Sequence, residues 1–132
     1  MRHHQQLFEN VRLRPEMNLP DTRYHTAAAF VLGYDAACQG GLLEGFREWL
    51  LLRRGAISNR WWPALVLEEA FPSAPSPVDE LSRDPRAERQ AVEKLFALIR
   101  EFDALRNERE GLKNIFAAFQ DLEKKTEDTW LS

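Results

Sequence analysis

Along residues 85–123 the apolar positions recur in alternating steps of four and three: Ala91, Leu95, Leu98, Phe102 and Leu105, then Leu112, Phe116 and Phe119. That spacing keeps one face of a helix apolar. Asp84-Pro85 ahead of it is a start signal, a capping carboxylate followed by a proline whose missing N–H is no loss in a first turn. The register crosses "RNEREG" with Arg109 as its polar member and reaches Glu123, so the pattern predicts one long or gently kinked helix over residues 85–124. A hairpin turning near Asn107–Gly111 is the competing reading. Val92, Ile99, Ile115 and Leu122 widen the stripe beyond a two-stranded seam, which favours packing onto the rest of the chain.

Residues 1–72 read as a cluster of shorter helices. Leu7, Phe8 and Val11 mark a first amphipathic helix, and "RLRPEMNLPDTR" breaks it at Pro15 and Pro20. Met17 and Leu19 are expected to reach the core from that irregular stretch, with Asp21 or Thr22 capping the next helix. Arg23 to Gln39 is apolar nearly all round, the mark of a central, buried helix, with Phe30 and Tyr34 on one face. Gly40 and Gly41 end it. Leu42, Leu43, Phe46, Trp49, Leu50 and Leu52 give another helix, closing at "RRG". Ser58 or Asn59 is expected to cap one more, running to Phe71. "FPSAPSPVDE" holds three prolines in ten residues, so residues 73–84 read as a non-helical linker. Nothing alternates as a strand does. The fold class is all-α: a compact bundle of about five helices with a long C-terminal helix, residues 1–132 forming one domain.

Composition narrows the function. At 132 residues, 44% hydrophobic, the chain suits one domain with its own core. "MRHHQQLFENVR" does not read as a charged-then-apolar leader, and no apolar run has the length of a membrane span. The lone Cys38 excludes an internal disulfide and reads as a small buried residue in a cytoplasmic protein. Residues 1–60 carry eight Arg and Lys against six Asp and Glu; residues 61–132 carry ten against fifteen. An acidic second half argues against nucleic acid as ligand and leans toward a basic partner.

Candidate chemistry is sparse. Five of the six glycines fall in "GYDAACQGGLLEGFREWLLLRRG", which holds neither GK[ST] nor G-x-G-x-x-G, so they read as helix punctuation rather than a phosphate cradle. Adjacent His3 and His4 cannot chelate one metal as an i, i+4 pair would, and His25 stands apart. Ser58, Ser73, Ser76, Ser82 and Ser132 lie in caps, linker or terminus with no G-x-S-x-G elbow. Paired acids such as Glu68-Glu69 read as solvated surface. No metal, cofactor or catalytic group is therefore expected. What remains is recognition: Arg12, Arg14, Asn59, Arg60, Trp61 and Trp62 are residue types enriched at binding hot spots. Of the adjacent tryptophans a helix buries one and leaves the other at its flank. Arg12 and Arg14 have an internal alternative, pairing with Asp21 or Asp35.

"RPEMNL" at residues 14–19, Gly33-Tyr34, and "WPALV" closing at Phe71-Pro72 give the chain a family likeness. The succession resembles a group of small bacterial proteins with an RPxMYL-type opening, a GY motif and a WxxLV…FP close, over about residues 7–72. Asn18 stands where that opening more often has Tyr. Some of the group look like immunity proteins of bacterial toxin systems, so the resemblance implies stoichiometric neutralisation of a toxin, without catalytic residues. The expected function is thus a non-enzymatic protein-binding module of immunity or antitoxin type. The alternatives are a self-associating module that dimerises through the Leu95–Phe119 stripe, and a helical enzyme or ligand sensor with a pocket under Tyr34 and Asp35.

Overall fold

The structure, a computed structural model, describes residues 3–131 without the side chains of His3 and Leu131, so the readings of His3 and Ser132 fall outside the described residues. Among those residues the chain is all-helical. In order come α1 (His3–Leu13), α2 (Pro15–Asn18), α3 (Tyr24–Ala37), α4 (Phe46–Arg54), α5 (Trp62–Ala70), α6 (Pro77–Glu80), α7 (Pro85–Arg106) and α8 (Gly111–Leu131).

The centre is α7, not the Arg23–Gln39 segment. Helices α1, α3, α4 and α5 all pack on α7, and one core cluster runs from Phe8 to Ile115. Alanines explain the difference. A face built of Ala29, Ala36 and Ala37 offers little area to bury, and these residues, with Cys38, lie exposed at the surface end of α3. The leucines, phenylalanines and isoleucine of α7 offer far more, and Leu95, Leu98, Ile99 and Phe102 are all buried. Cys38 is accordingly exposed rather than buried.

The C-terminal stripe is not one helix. α7 stops at Arg106, Glu110 takes a left-handed backbone with φ 60°, and α8 starts at Gly111. Nothing apolar lies between Leu105 and Leu112, and Asn107 to Glu110 are exposed, so burial does not oppose a turn there. Nor is it a hairpin, because α8 packs chiefly on α4 and much less on α7. Gly45 admits it: a Cβ at that position would stand 2.9 Å from Leu112 Cδ2, and its φ of 86° is itself a glycine conformation. Beyond Ile115 no residue of α8 is fully buried, and Trp130 near its end is 85% exposed.

Prolines start two extra turns. Pro15 opens α2 and Pro77 opens α6, inside stretches expected to be irregular, because proline suits the first helical position as well as it suits a loop. The linker is fastened by Leu81, which is buried. Leu19 is buried as expected, whereas Met17 is exposed. Asp84 caps α7 by accepting from Ala87 N at 3.0 Å. The other expected caps are replaced. Arg23 and Trp61 occupy the N-cap positions of α3 and α5, and Glu88 of α7 accepts from Tyr24 N instead. Leu42 to Gly45 lie in turns, so α4 is shorter than its apolar pattern.

Tyr24 joins three helices. Its side chain is fully buried, and its hydroxyl donates to Pro63 O at 2.7 Å. Burial pushes this phenol well above its ordinary range. The folded protein then keeps it neutral while the unfolded chain ionises near pH ~10, so stability is full below that pH and falls as pH rises beyond it. Tyr24→Phe is expected to cost about 1 kcal/mol at neutral pH through the lost hydrogen bond. It should also flatten the alkaline decline, which urea midpoints on either side of pH ~10 measure.

Candidate functional site

The loop after α4 turns the chain into the tryptophan pair. Arg47 sets this loop by donating from Nε to Arg60 O at 3.0 Å and from Nη2 to Ser58 O. Trp61, at the extended N-cap of α5, and Trp62, its first helical residue, then diverge. Trp62 is 5% exposed and packs edge-on against Phe46 at 5.6 Å; Trp61 is 57% exposed. The expected division of the pair is present, and it removes Trp62 from the candidate contact residues, since a core side chain cannot meet a partner.

Trp61 stands on an apolar shelf. With Arg60, Ala64, Leu67, Pro75, Ser76, Pro77 and Val78 it lines a recess of about 340 Å³, and Val78 is also exposed. Arg60 and Asn59 lie at the surface beside it. Next to this recess is a second, of about 520 Å³, which shares Arg60, Pro75 and Pro77 with it. Here Arg53 clasps Glu69 through two hydrogen bonds of 2.8 Å, reaches Glu101 at 3.1 Å, and lies 4.9 Å above the Trp49 ring. The Glu69 hydrogen bonds hold its guanidinium more firmly protonated than usual. Arg54 and Arg60 share Glu68, at 3.0 and 3.1 Å. Surface pairs of this kind add little stability singly, but a bidentate, shared lattice fixes how α4, α5 and α7 meet.

Arg12 and Arg14 do not join this corner. Arg12 donates to Glu9 on α1 and, at 3.2 and 3.3 Å, to Glu93 on α7. It is a helix tie. Neither expected acid serves it: Asp21 accepts from Arg23 N, and Asp35 accepts from Leu43 N at 2.8 Å. Asp35 is thus occupied in holding the turn after α3, and Tyr34 packs on Phe8 at 5.3 Å. The Arg12 hydrogen bond also draws the Glu9 carboxyl below its ordinary range. Arg14 is exposed beside Met17, whose Sδ is 3.8 Å from its Nη1.

One polar cluster had no place in the sequence reading. Asp103 on α7 is 4% exposed and His4 on α1 is 9% exposed, with Oδ1 and Nε2 3.1 Å apart. The exposed Gln5 donates its amide to Oδ2. The signal was available: Asp103 comes seven residues after Phe96 and four after Ile99, and His4 precedes Phe8 by four, so both polar residues fall on buried faces. Among the described residues no three His, Cys, Asp or Glu side chains gather as a metal site would need. No helix there is long and apolar enough to cross a membrane.

Compared with protein-family models, with curated proteins and with solved structures, the chain matches none.

Proposed function

We propose that the chain is a non-catalytic docking protein that holds another protein through the Trp61 corner. The observation that carries this is an exposed tryptophan on a rigid apolar shelf, flanked by an exposed arginine whose position Glu68 fixes. A large, rigid, amphipathic side chain of this kind gives up little conformational freedom on binding and buries much area, as hot-spot residues do. The charges set the chemistry of the partner. Arg53, Arg54 and Arg60 line the adjoining recess against Glu68 and Glu69, three guanidiniums to two carboxylates. The partner is a protein with an apolar recess for the indole, edged by carboxylates. The motif succession of residues 14–72 supports the narrower reading, an immunity-type protein that neutralises a toxin one-to-one.

Self-association has less surface than the sequence offered it. Leu95, Leu98 and Phe102 are buried within the chain's own core, and Phe116, Phe119 and Leu122 on α8 are only half-exposed.

The test is a purified complex of this chain with its partner, weighed by native mass spectrometry and titrated by calorimetry. A one-to-one mass is expected. Trp61→Ala should weaken the complex by roughly thirty-fold, about 2 kcal/mol, with the unfolding midpoint of the free chain unchanged. An affinity indifferent to both Trp61→Ala and Arg60→Ala would overturn the reading.

A further inference from the structure

Between α1 and α7, in a recess that does not share residues with the Trp61 corner, lies a narrow cleft of about 180 Å³. Its floor is Phe8, Phe96 and Ile99 with His4 and Asp103, all buried. Its rim is Gln5, Glu9, Arg100 and Ala104, more open to solvent. The floor is therefore apolar at one end and polar at the other.

The polar end is incompletely satisfied. His4 Nε2 is 3.1 Å from Asp103 Oδ1, yet the two are not aligned for a hydrogen bond, and Nε2 has no hydrogen-bond partner among the described residues. We take the contact as electrostatic attraction without a directed bond. A ring nitrogen that turned a lone pair toward a carboxylate oxygen at this range would be repelled, so Nε2 carries its proton. A buried N–H without an aligned acceptor is costly and invites one. Asp103, with Gln5 on its other oxygen, keeps lone pairs free on Oδ1.

We propose that this cleft binds a small hydroxylated aromatic molecule of the class of phenol or benzyl alcohol. A hydroxyl is the group that meets both needs: it accepts from His4 Nε2 and donates to Asp103 Oδ1. With the two atoms 3.1 Å apart, one oxygen can stand about 2.8 Å from each. The ring lies against Phe8, Phe96 and Ile99, where edge-to-face contact suits an aromatic better than an aliphatic body. The size agrees, since a cavity of ~150 Å³ holds one benzene. The polar pair also sets the selectivity. Benzene leaves Nε2 unmet, benzoate brings a second negative charge to Asp103, and an aryl ammonium offers no acceptor to the imidazole N–H.

The experiment titrates the full chain with phenol, benzene and benzoate while monitoring backbone and methyl resonances by NMR. Phenol should saturate shifts at Phe8, Phe96 and Ile99 with a Kd on the order of 1 mM, the range open to so small a ligand. Benzene should bind at least about tenfold more weakly and benzoate more weakly still, the fold-change of one lost hydrogen bond. His4→Phe removes the donor and should erase the preference for phenol over benzene, an effect that a purely structural role for His4 would not produce. Ala104→Trp, at the exposed rim, should close the mouth and abolish binding of both without touching the core. Three results would each overturn the assignment: no saturable shift at these residues, benzene binding as well as phenol, or an unchanged preference in His4→Phe.

Discussion

Phe102→Ala is expected to lower the unfolding free energy by about 4 kcal/mol, read from urea denaturation with an unchanged dependence on denaturant. The ring is 1% exposed and sits where α4, α7 and α8 converge. Its centroid is 5.3 Å from Phe46 and 5.6 Å from Trp49, both tilted pairings, and its Cζ lies 3.7 Å from the position a Cβ would take on Gly45. Removing it deletes the transfer energy of a phenyl group and leaves a void walled by two other aromatics. Those walls cannot collapse inward easily, because Phe46 also abuts Trp62 at 5.6 Å, and Trp49 is covered by Arg53. A domain of this size is stable by only ~5–15 kcal/mol, so the variant should be close to unfolded at body temperature. Ala97→Ser, on the exposed face of the same helix, should shift stability by less than about 0.5 kcal/mol. A Phe102→Ala cost under about 1 kcal/mol would mean that the aromatic junction is not the core of the molecule.

Much of the fold was legible because much of it is set by neighbours in the chain. Asp84 and Pro85 start α7 by a bond that spans three residues, and the left-handed Gly55 ends α4 within its own turn. Which helix lies at the centre was not legible. Periodicity records that a residue is apolar, not how much area it can bury, and so the alanine-rich α3 looked as interior as the phenylalanine- and leucine-rich α7. The caps failed for a related reason: a local serine or aspartate competes with carboxylates brought from afar, and at α3 Glu88, 64 residues away, prevails.

The candidate site divides along the same line. That one of two adjacent tryptophans faces outward is dictated by helix geometry, but which one depends on where α5 begins, and Trp62 takes the first helical position. The arginines could be singled out but not assigned, because Arg12 finds Glu93, 81 residues on, while Asp21 and Asp35 spend their oxygens on nearby backbone. The His4–Asp103 pair needed two faint signals read together, one polar residue on each of two apolar faces, and only packing α1 on α7 brings them within reach.

Gly111→Ala should be costly, by about 3 kcal/mol at the upper end of what overpacking exacts, and should loosen α8 from α4. A Cβ there would stand 2.3 Å from Leu105 O and 2.9 Å from Arg106 Cα, both main-chain atoms that no side-chain rotation can move aside. The corner between α7 and α8 must open, and opening it pulls Leu112 and Ile115 away from the α4 face on which they pack. Gly33→Ala supplies the contrast, since a Cβ there meets nothing within 4 Å and the residue lies inside α3. There the exchange should stabilise by up to about 1 kcal/mol, through helix propensity alone. Thermal unfolding of both variants, with Trp49 fluorescence reporting on α4, compares the same substitution at two sites with opposite expected signs. The pair also decides between the broken helix and the continuous one that the heptad register suggested. In an uninterrupted helix Gly111 would be an interior glycine like Gly33, and alanine would stabilise it by a similar amount. Loss at position 111 with gain at position 33 is therefore the signature of a corner closed by a missing side chain.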